Sequence, residues 1–319
     1  MGDTLLEVRN LKKYYQVPKG LLHAVDDVSF SIERGKTLGI VGESGCGKTT
    51  TGRALLRLVE PTSGEIIFNG SDIMKLNKKE MRYMRRHMQL IFQDPFSSLN
   101  PRKTVFQTIE EPIILADLMP DKDERFMHVL ELMRTVGLAE RLINTYPHEL
   151  DGGRRQRIGI ARALAMAPEF IVCDEPVSSL DVSIQAQILN LMKKIQNDSG
   201  ITYIFITHSL SVVNHFADDI MVMYLGRVIE KASSEELFRN PVHPYTRALL
   251  SAIPVPRIRN RPERQLLKGE ITSPINPKPV CRFANRCNEV TEECTSVEPD
   301  LTEISPNHFV SCHLVSDKN

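Results

Sequence analysis

Apolar residues recur along this chain at two different periods. Leu5 to Leu11 and Val25 to Ile32 have strand-like spacing with a loop between them. Leu38-Gly39-Ile40-Val41 is a short apolar run of the kind buried on both faces of a sheet. Gly64 to Asn69 and Met88 to Phe92 read as further strands, separated by a charged segment, Lys78 to Arg86, that predicts a solvated helix. From Thr104 to about Tyr146 the spacing is helical, with Phe126, Val129, Leu130, Met133 and Val136 on one face. Strand and helix then alternate. Phe170 to Cys173 is a strand, Ile184, Ile188, Leu191 and Ile195 mark an amphipathic helix, and Ile201 to Thr207 and Ile220 to Tyr224 are strands. This order predicts an α/β fold: a mostly parallel sheet with helices on its faces and a helical subdomain packed beside it.

Composition changes the picture after Ile253. The last 66 residues hold eight of the nineteen prolines and four of the six cysteines, with little periodicity, so this tail has too few apolar residues to order itself without a staple. The expected division is 1–103 and 161–253 for the two parts of the core, 104–160 for the helical subdomain and 254–319 for a small cysteine-containing extension. Forty basic residues balance forty acidic ones, which argues against a nucleic-acid partner. No apolar run approaches the eighteen or so residues of a membrane span, and the start, Met1-Gly2-Asp3-Thr4, lacks the regions of a signal peptide. The expectation is a cytosolic protein with reduced cysteines, reaching any membrane through a partner.

The strand Leu38 to Val41 leads into Gly42-Glu43-Ser44-Gly45-Cys46-Gly47-Lys48-Thr49, which fits GxxxxGK[ST] at every fixed position and opens a helix-compatible stretch, Thr50 to Leu58. In that context glycines turn successive backbone N–H groups toward phosphate oxygens, and the following helix adds its positive end. The cradle runs from Gly42 to Thr50. Lys48 is expected to reach the β- and γ-phosphates of ATP, and Thr49 to ligate magnesium. The strand Phe170 to Cys173 ends in Asp174 and Glu175, where parallel sheets bind ligands. Asp174 is expected to hold magnesium, and Glu175 to orient or deprotonate the attacking water. Gln93, after Met88 to Phe92, can touch both magnesium and water. His208, after Ile201 to Thr207, can meet the γ-phosphate.

The order of phosphate loop, Gln93, Asp151-Gly152-Gly153, Asp174-Glu175, Ser178-Ser179-Leu180-Asp181 and His208 resembles the ATPase subunit of ABC transporters over about residues 5 to 245. That resemblance implies a P-loop NTPase core with an antiparallel β region, and a head-to-tail dimer in which each ATP meets the partner's signature loop. It makes Gly152-Gly153 the signature loop and Ser178 to Asp181 a dimer-contact loop. Tyr15, or its neighbour Tyr14, is then the residue stacked on adenine. Gln93-Asp94-Pro95-Phe96-Ser97-Ser98-Leu99-Asn100-Pro101-Arg102 and His243-Pro244-Tyr245-Thr246-Arg247-Ala248-Leu249-Leu250 resemble the peptide and nickel importer subfamily. Ala24 to Phe30 and Gly39 to Gly47 are similar to its F-type subunit. The implied partners are a second, non-identical ABC ATPase, two transmembrane permease subunits and, indirectly, an extracytoplasmic peptide-binding protein. The implied place is the cytoplasmic face of a prokaryotic membrane.

The chain departs from the family where Ser-Gly-Gly-Gln becomes Asp151-Gly152-Gly153-Arg154. Asp still caps a helix well, but a carboxylate cannot donate to a γ-phosphate oxygen. Two unit charges about 4 Å apart at effective dielectric ~20 repel by roughly 4 kcal/mol, which Arg154 and Arg155 are expected to offset in part. Ser209 stands where the family has Asp. In the tail, Cys281, Cys287, Cys294 and Cys312 suggest four thiolate ligands for zinc or a [4Fe–4S] cluster. Similarly spaced family members favour the cluster, with Arg282 and Arg286 flanking two ligands to balance its charge. Cys46 and Cys173 belong to the core and are expected to be inert. Loss of Cys287 is expected to loosen the tail without affecting ATP binding. Competing classes fit less well. A non-transport ABC ATPase is expected to carry tandem units, coiled coils or basic patches. A GTPase would want Asn-Lys-x-Asp, where this chain has Asn77-Lys78-Lys79-Glu80.

Overall fold

A computed structural model describes residues 3–253, 267–269 and 272–316, in two compact units. The first comprises Met1–Leu5, Glu33–Lys36 and Lys75–Ile206, the second Leu6–Ile32, Thr37–Met74 and Thr207–Asn319.

In the first unit, strands Met88–Ile91, Phe170–Asp174 and Thr202–Thr207 pair in parallel, with Ile91 opposite Cys173 and Asp174 opposite Ile206. Phe170–Asp174 and Thr202–Thr207 are buried at every residue, as strands covered on both faces must be. Helices Val105–Leu115, Lys122–Thr135 and Gly152–Leu164 pack together. Thr104 caps the first of these in a reciprocal box with Gln107, and Asp121 caps the second by accepting N–H bonds from Asp123 and Glu124. The face of the second helix differs from expectation. Val129, Leu130, Leu132 and Met133 are buried, whereas Phe126 is 43% exposed and meets Phe106 at 5.6 Å between ring centroids.

In the second unit, an antiparallel sheet runs in the order Gly20–Glu33, Thr4–Val17, Ser63–Phe68, Ser71–Asp72. Beside it, Thr37–Val41 pairs in parallel with Asp219–Tyr224, which turns back into antiparallel Arg227–Ser233. Two short strands of the tail, Thr302–Ser305 and His308–Val310, extend that edge, with Val310 opposite Glu230.

The described part of the tail is docked on the rest of this unit by contacts beyond the strand pairing. Besides the strand pairing, His23 and Ser311 donate backbone bonds to Pro274 and Ile229 at 2.9 Å. Arg227 pairs with Glu298 at 2.9 Å, and Arg282 pairs with Asp26. Phe283 and Val310 are buried as well. Among the described residues no helix is long and apolar enough to cross a membrane.

Candidate functional site

The phosphate loop connects strand Thr37–Val41 to helix Lys48–Leu55. Gly47, just before the helix, has φ 105°, and a Cβ added there would lie 2.1 Å from the carbonyl oxygen of Ala24. No other residue closes the loop without moving that backbone. The buried Lys48 folds back over the loop, its Nζ donating to the carbonyls of Gly42 at 2.7 Å and Glu43 at 3.0 Å. Its charge is thus held at the cradle's mouth. Cys46 is buried and burial pushes its thiol up, so it stays a protonated packing group. Ser44 and Gly45 are exposed at the tip, while Thr49 and Thr50 are half-buried on the first helical turn.

Glu43 carries tethers that sequence reasoning missed. Its backbone N–H donates to the Tyr245 hydroxyl at 2.9 Å, and its carboxylate pairs with Arg286 at 2.5 Å. The expectation that the tail stands apart from the phosphate loop is thereby corrected. Arg282 and Arg286, which flank two of the expected cluster ligands in sequence, direct their guanidinium groups at Asp26 and Glu43. The only sequence signal was the motif around His243-Pro244-Tyr245, which carried no role.

Tyr14 and Tyr15 are separated by their surroundings. Tyr14 stacks on His23 with ring centroids 3.9 Å apart, and its hydroxyl donates to Asp26. Burial pushes the Asp26 carboxyl up, but bonds from Tyr14 and His23 and the Arg282 guanidinium outweigh it and hold it well below the usual carboxylate range. Tyr15 is half-buried, with the Lys13 ammonium 4.7 Å from its ring centroid. His208, in this same unit, is exposed just after Thr207.

In the first unit, Asp174 ends its strand buried, and Glu175 turns out of it at φ 46°, a left-handed backbone uncommon outside glycine. The Glu175 N–H still donates to the Ile206 carbonyl at 2.9 Å, and its own carbonyl accepts from the Ser178 hydroxyl at 3.1 Å. The Gln93 amide donates to the Glu175 carboxylate at 3.1 Å. Two of the expected catalytic residues are therefore in direct contact.

Asp151 caps helix Gly152–Leu164, its carboxylate accepting the Arg154 N–H at 2.8 Å. The Arg154 side chain reaches the other oxygen at 3.5 Å, and both side chains are at least half exposed. Arg155 takes no part, correcting the expectation that it offsets Asp151. It is buried, donates to the carbonyls of Pro147 at 2.6 Å and His148 at 3.2 Å, and lies 3.8 Å from the Phe96 ring centroid. Gly153 lies under Ile184, whose Cγ2 would sit 2.8 Å from an added Cβ. Close packing therefore requires glycine here.

Burial, and then the neighbouring cysteines, push the thiols of Cys281 and Cys312 up to about 11. The Cys281 N–H donates to the Cys294 carbonyl at 3.1 Å, and the Glu289 N–H points at the Cys287 sulfur at 3.3 Å. Among the described residues, no three His, Cys, Asp or Glu side chains stand close enough to hold a single metal ion.

Residues 25–178 match the ABC transporter family model, and residues 229–294 match the model of the oligopeptide/dipeptide transporter C-terminal region. The chain is 50% identical to the oligopeptide transport ATP-binding protein AppF of Bacillus subtilis, covering 98% of each chain. It is 48% identical to the dipeptide transport ATP-binding protein DppF of Haemophilus influenzae, over 97% of this chain and 96% of that one. Its fold matches a dimeric post-hydrolysis structure of the ATP-binding cassette MJ0796 bound to ADP and Pi, with TM-score 0.66 and 30% identity over 72% of this chain and 99% of that one. The chain belongs to the ABC transporter ATP-binding proteins, in their oligopeptide and dipeptide branch.

Proposed function

We propose that this chain is the ATP-hydrolysing subunit that powers import of di- or oligopeptides. Its likeness to the two transport ATP-binding proteins, over nearly the whole length of each, carries this reading. Lys48 and the backbone of Gly42 to Thr50 hold the triphosphate, and Tyr15 takes the adenine because Tyr14 is engaged by His23 and Asp26. Glu175 accepts a proton from the attacking water, Gln93 aims the Glu175 carboxylate, and His208 contacts the γ-phosphate. The family resemblance assigns Thr49, Gln93 and Asp174 to magnesium, hard oxygen donors of the kind that ion prefers. Magnesium, when bound, neutralises triphosphate charge.

The partners in this reading are a second, non-identical ATPase, two permease subunits and an external peptide-binding protein, with the chain peripheral on the cytoplasmic face. Lys48→Ala tests the ATP site and is expected to weaken nucleotide binding. Co-purification with the membrane subunits and binding protein, followed by mass spectrometry of bound ligand, tests the substrate. A non-peptide solute as the bound ligand would redirect the assignment.

For the tail, we propose that Cys281, Cys287, Cys294 and Cys312 hold a [4Fe–4S] cluster. Zinc is the alternative occupant of four thiolates. The N–H aimed at the Cys287 sulfur is the kind of donor that stabilises a cluster thiolate.

A further inference from the structure

The phosphate loop attracts anionic oxygens through its backbone N–H groups, and its second residue, Glu43, adds a carboxylate beside them. That carboxylate is gripped at both oxygens, Arg286 Nη1 meeting Oε2 at 2.5 Å and Nη2 meeting Oε1 at 3.1 Å. The fork is bidentate, the strongest and most directional pairing available to a carboxylate. The Arg286 side chain is 8% exposed and that of Glu43 25%. Arg286 is itself fixed, with Nε donating to the Lys268 carbonyl at 3.2 Å and its guanidinium 5.8 Å from the Tyr224 ring centroid. Tyr224 also packs on Tyr245, with centroids 4.9 Å apart, and Tyr245 accepts the Glu43 N–H. Phe283, three residues before Arg286, closes the cluster against both tyrosines at 5.3 and 5.4 Å. Backbone and side chain of one phosphate-loop residue are thus held by residues about two hundred positions further along the chain.

We propose that Arg286 is a positioning residue for ATP binding, pairing with Glu43 so that its carboxylate neither repels the triphosphate nor competes for the loop's N–H groups. The C-terminal segment thereby sets ATP affinity. This rests on the reading of the loop as the ATP site, which Lys48→Ala tests separately.

The experiment measures ATP affinity by calorimetry on the full-length chain, and ATPase parameters in the assembled transporter. Arg286→Gln is expected to weaken ATP binding about tenfold, the loss of one charge-assisted pair, and to raise KM with little change in kcat. Arg286→Lys restores part of the affinity. Adding Glu43→Gln to Arg286→Gln restores most of it, because no unpaired carboxylate is left to act on the phosphates. A tie that only braced the fold would not be repaired by removing its second partner. Parent affinity in Arg286→Gln, or a double variant no better than the single one, overturns the proposal. If Arg286→Gln does not fold, Glu43→Gln alone decides: parent or tighter affinity supports the proposal, and a tenfold loss overturns it. Unchanged affinity in Lys48→Ala would instead sink the ATP-site reading.

Discussion

The Gln93 amide holds the Glu175 carboxylate across 3.1 Å, joining the ends of two different parallel strands. A carboxylate pinned this way has one oxygen oriented. Glu175→Gln keeps the shape and removes the proposed base, so ATP binding should survive. Turnover in the assembled transporter should fall by a factor on the order of a hundred or more. An unchanged rate would remove Glu175 from the chemistry.

Gln93→Ala should cost far less. It removes one neutral donor, worth roughly 1 kcal/mol or about fivefold in rate, and leaves the base in place. A loss as large as that of Glu175→Gln would mean that Gln93 acts on the reacting atoms directly.

The elements that carry the candidate ATP residues were legible because their motifs are local. The loop from Gly42 to Thr49 and the strand ending in Asp174 each carry their signal within ten residues. Strand Arg227–Ser233 was not legible, since it buries an acidic residue. Glu230 is fully buried, accepting N–H bonds from Val242 at 2.8 Å and His243 at 3.0 Å and lying 2.9 Å from His308 Nε2. Those partners sit 12, 13 and 78 positions away, so no periodicity announces them. Strands Thr302–Ser305 and His308–Val310 are short edge segments recognised only by their docking. The bond between Arg286 and Glu43 spans 243 positions and had no local signal.

Asp26 gives a pH dependence. Its side chain is 7% exposed beside an equally buried Arg282, and its carboxyl is held below the usual range in the folded state. Stability from this group is therefore fully present above the unfolded carboxyl value near 3.9, and is lost as pH falls through the lower folded value. Asp26→Asn removes the nearest carboxylate from buried Arg282 and leaves it Glu298 at 3.5 Å and the Leu225 carbonyl, an expected cost of about 2–3 kcal/mol at neutral pH. It should also flatten the acid limb of urea-unfolding stability measured below about pH 4. A parent-like acid limb in the variant would exclude Asp26 as its source.

The cysteine tail makes a paired prediction. Anaerobically purified protein should carry about four iron atoms and broad visible absorption bleached by dithionite. Cys287→Ser should lose that absorption. Because Cys287 directly follows Arg286, it should also weaken ATP binding. Stoichiometric zinc without iron would overturn the cluster, and full ATP affinity after cluster loss would show that the Arg286 tether does not need it.

Asp151 predicts how the chain behaves with and without its partner. At the position that the resemblance matches to the family's signature-loop serine, this chain has a carboxylate whose oxygens meet the Arg154 N–H at 2.8 Å and the Arg154 side chain at 3.5 Å. With the side chain 60% exposed, that pairing is screened by water and cancels only part of the charge. A homodimer would set Asp151 against both triphosphates, so the isolated chain should hydrolyse ATP slowly and dimerise reluctantly. In the proposed reading, a non-identical partner with a serine loop would complete this chain's own ATP site. The ATP facing Asp151 would then turn over slowly or act as a clamp. Asp151→Ser keeps the helix cap, since serine caps as well as aspartate, and changes only the chemistry. Steady-state ATPase should rise clearly in the isolated chain and change much less in the heteromeric complex. Equal rates for Asp151→Ser and parent in both settings, or a parent homodimer as fast as the complex, would rule out the asymmetric pair.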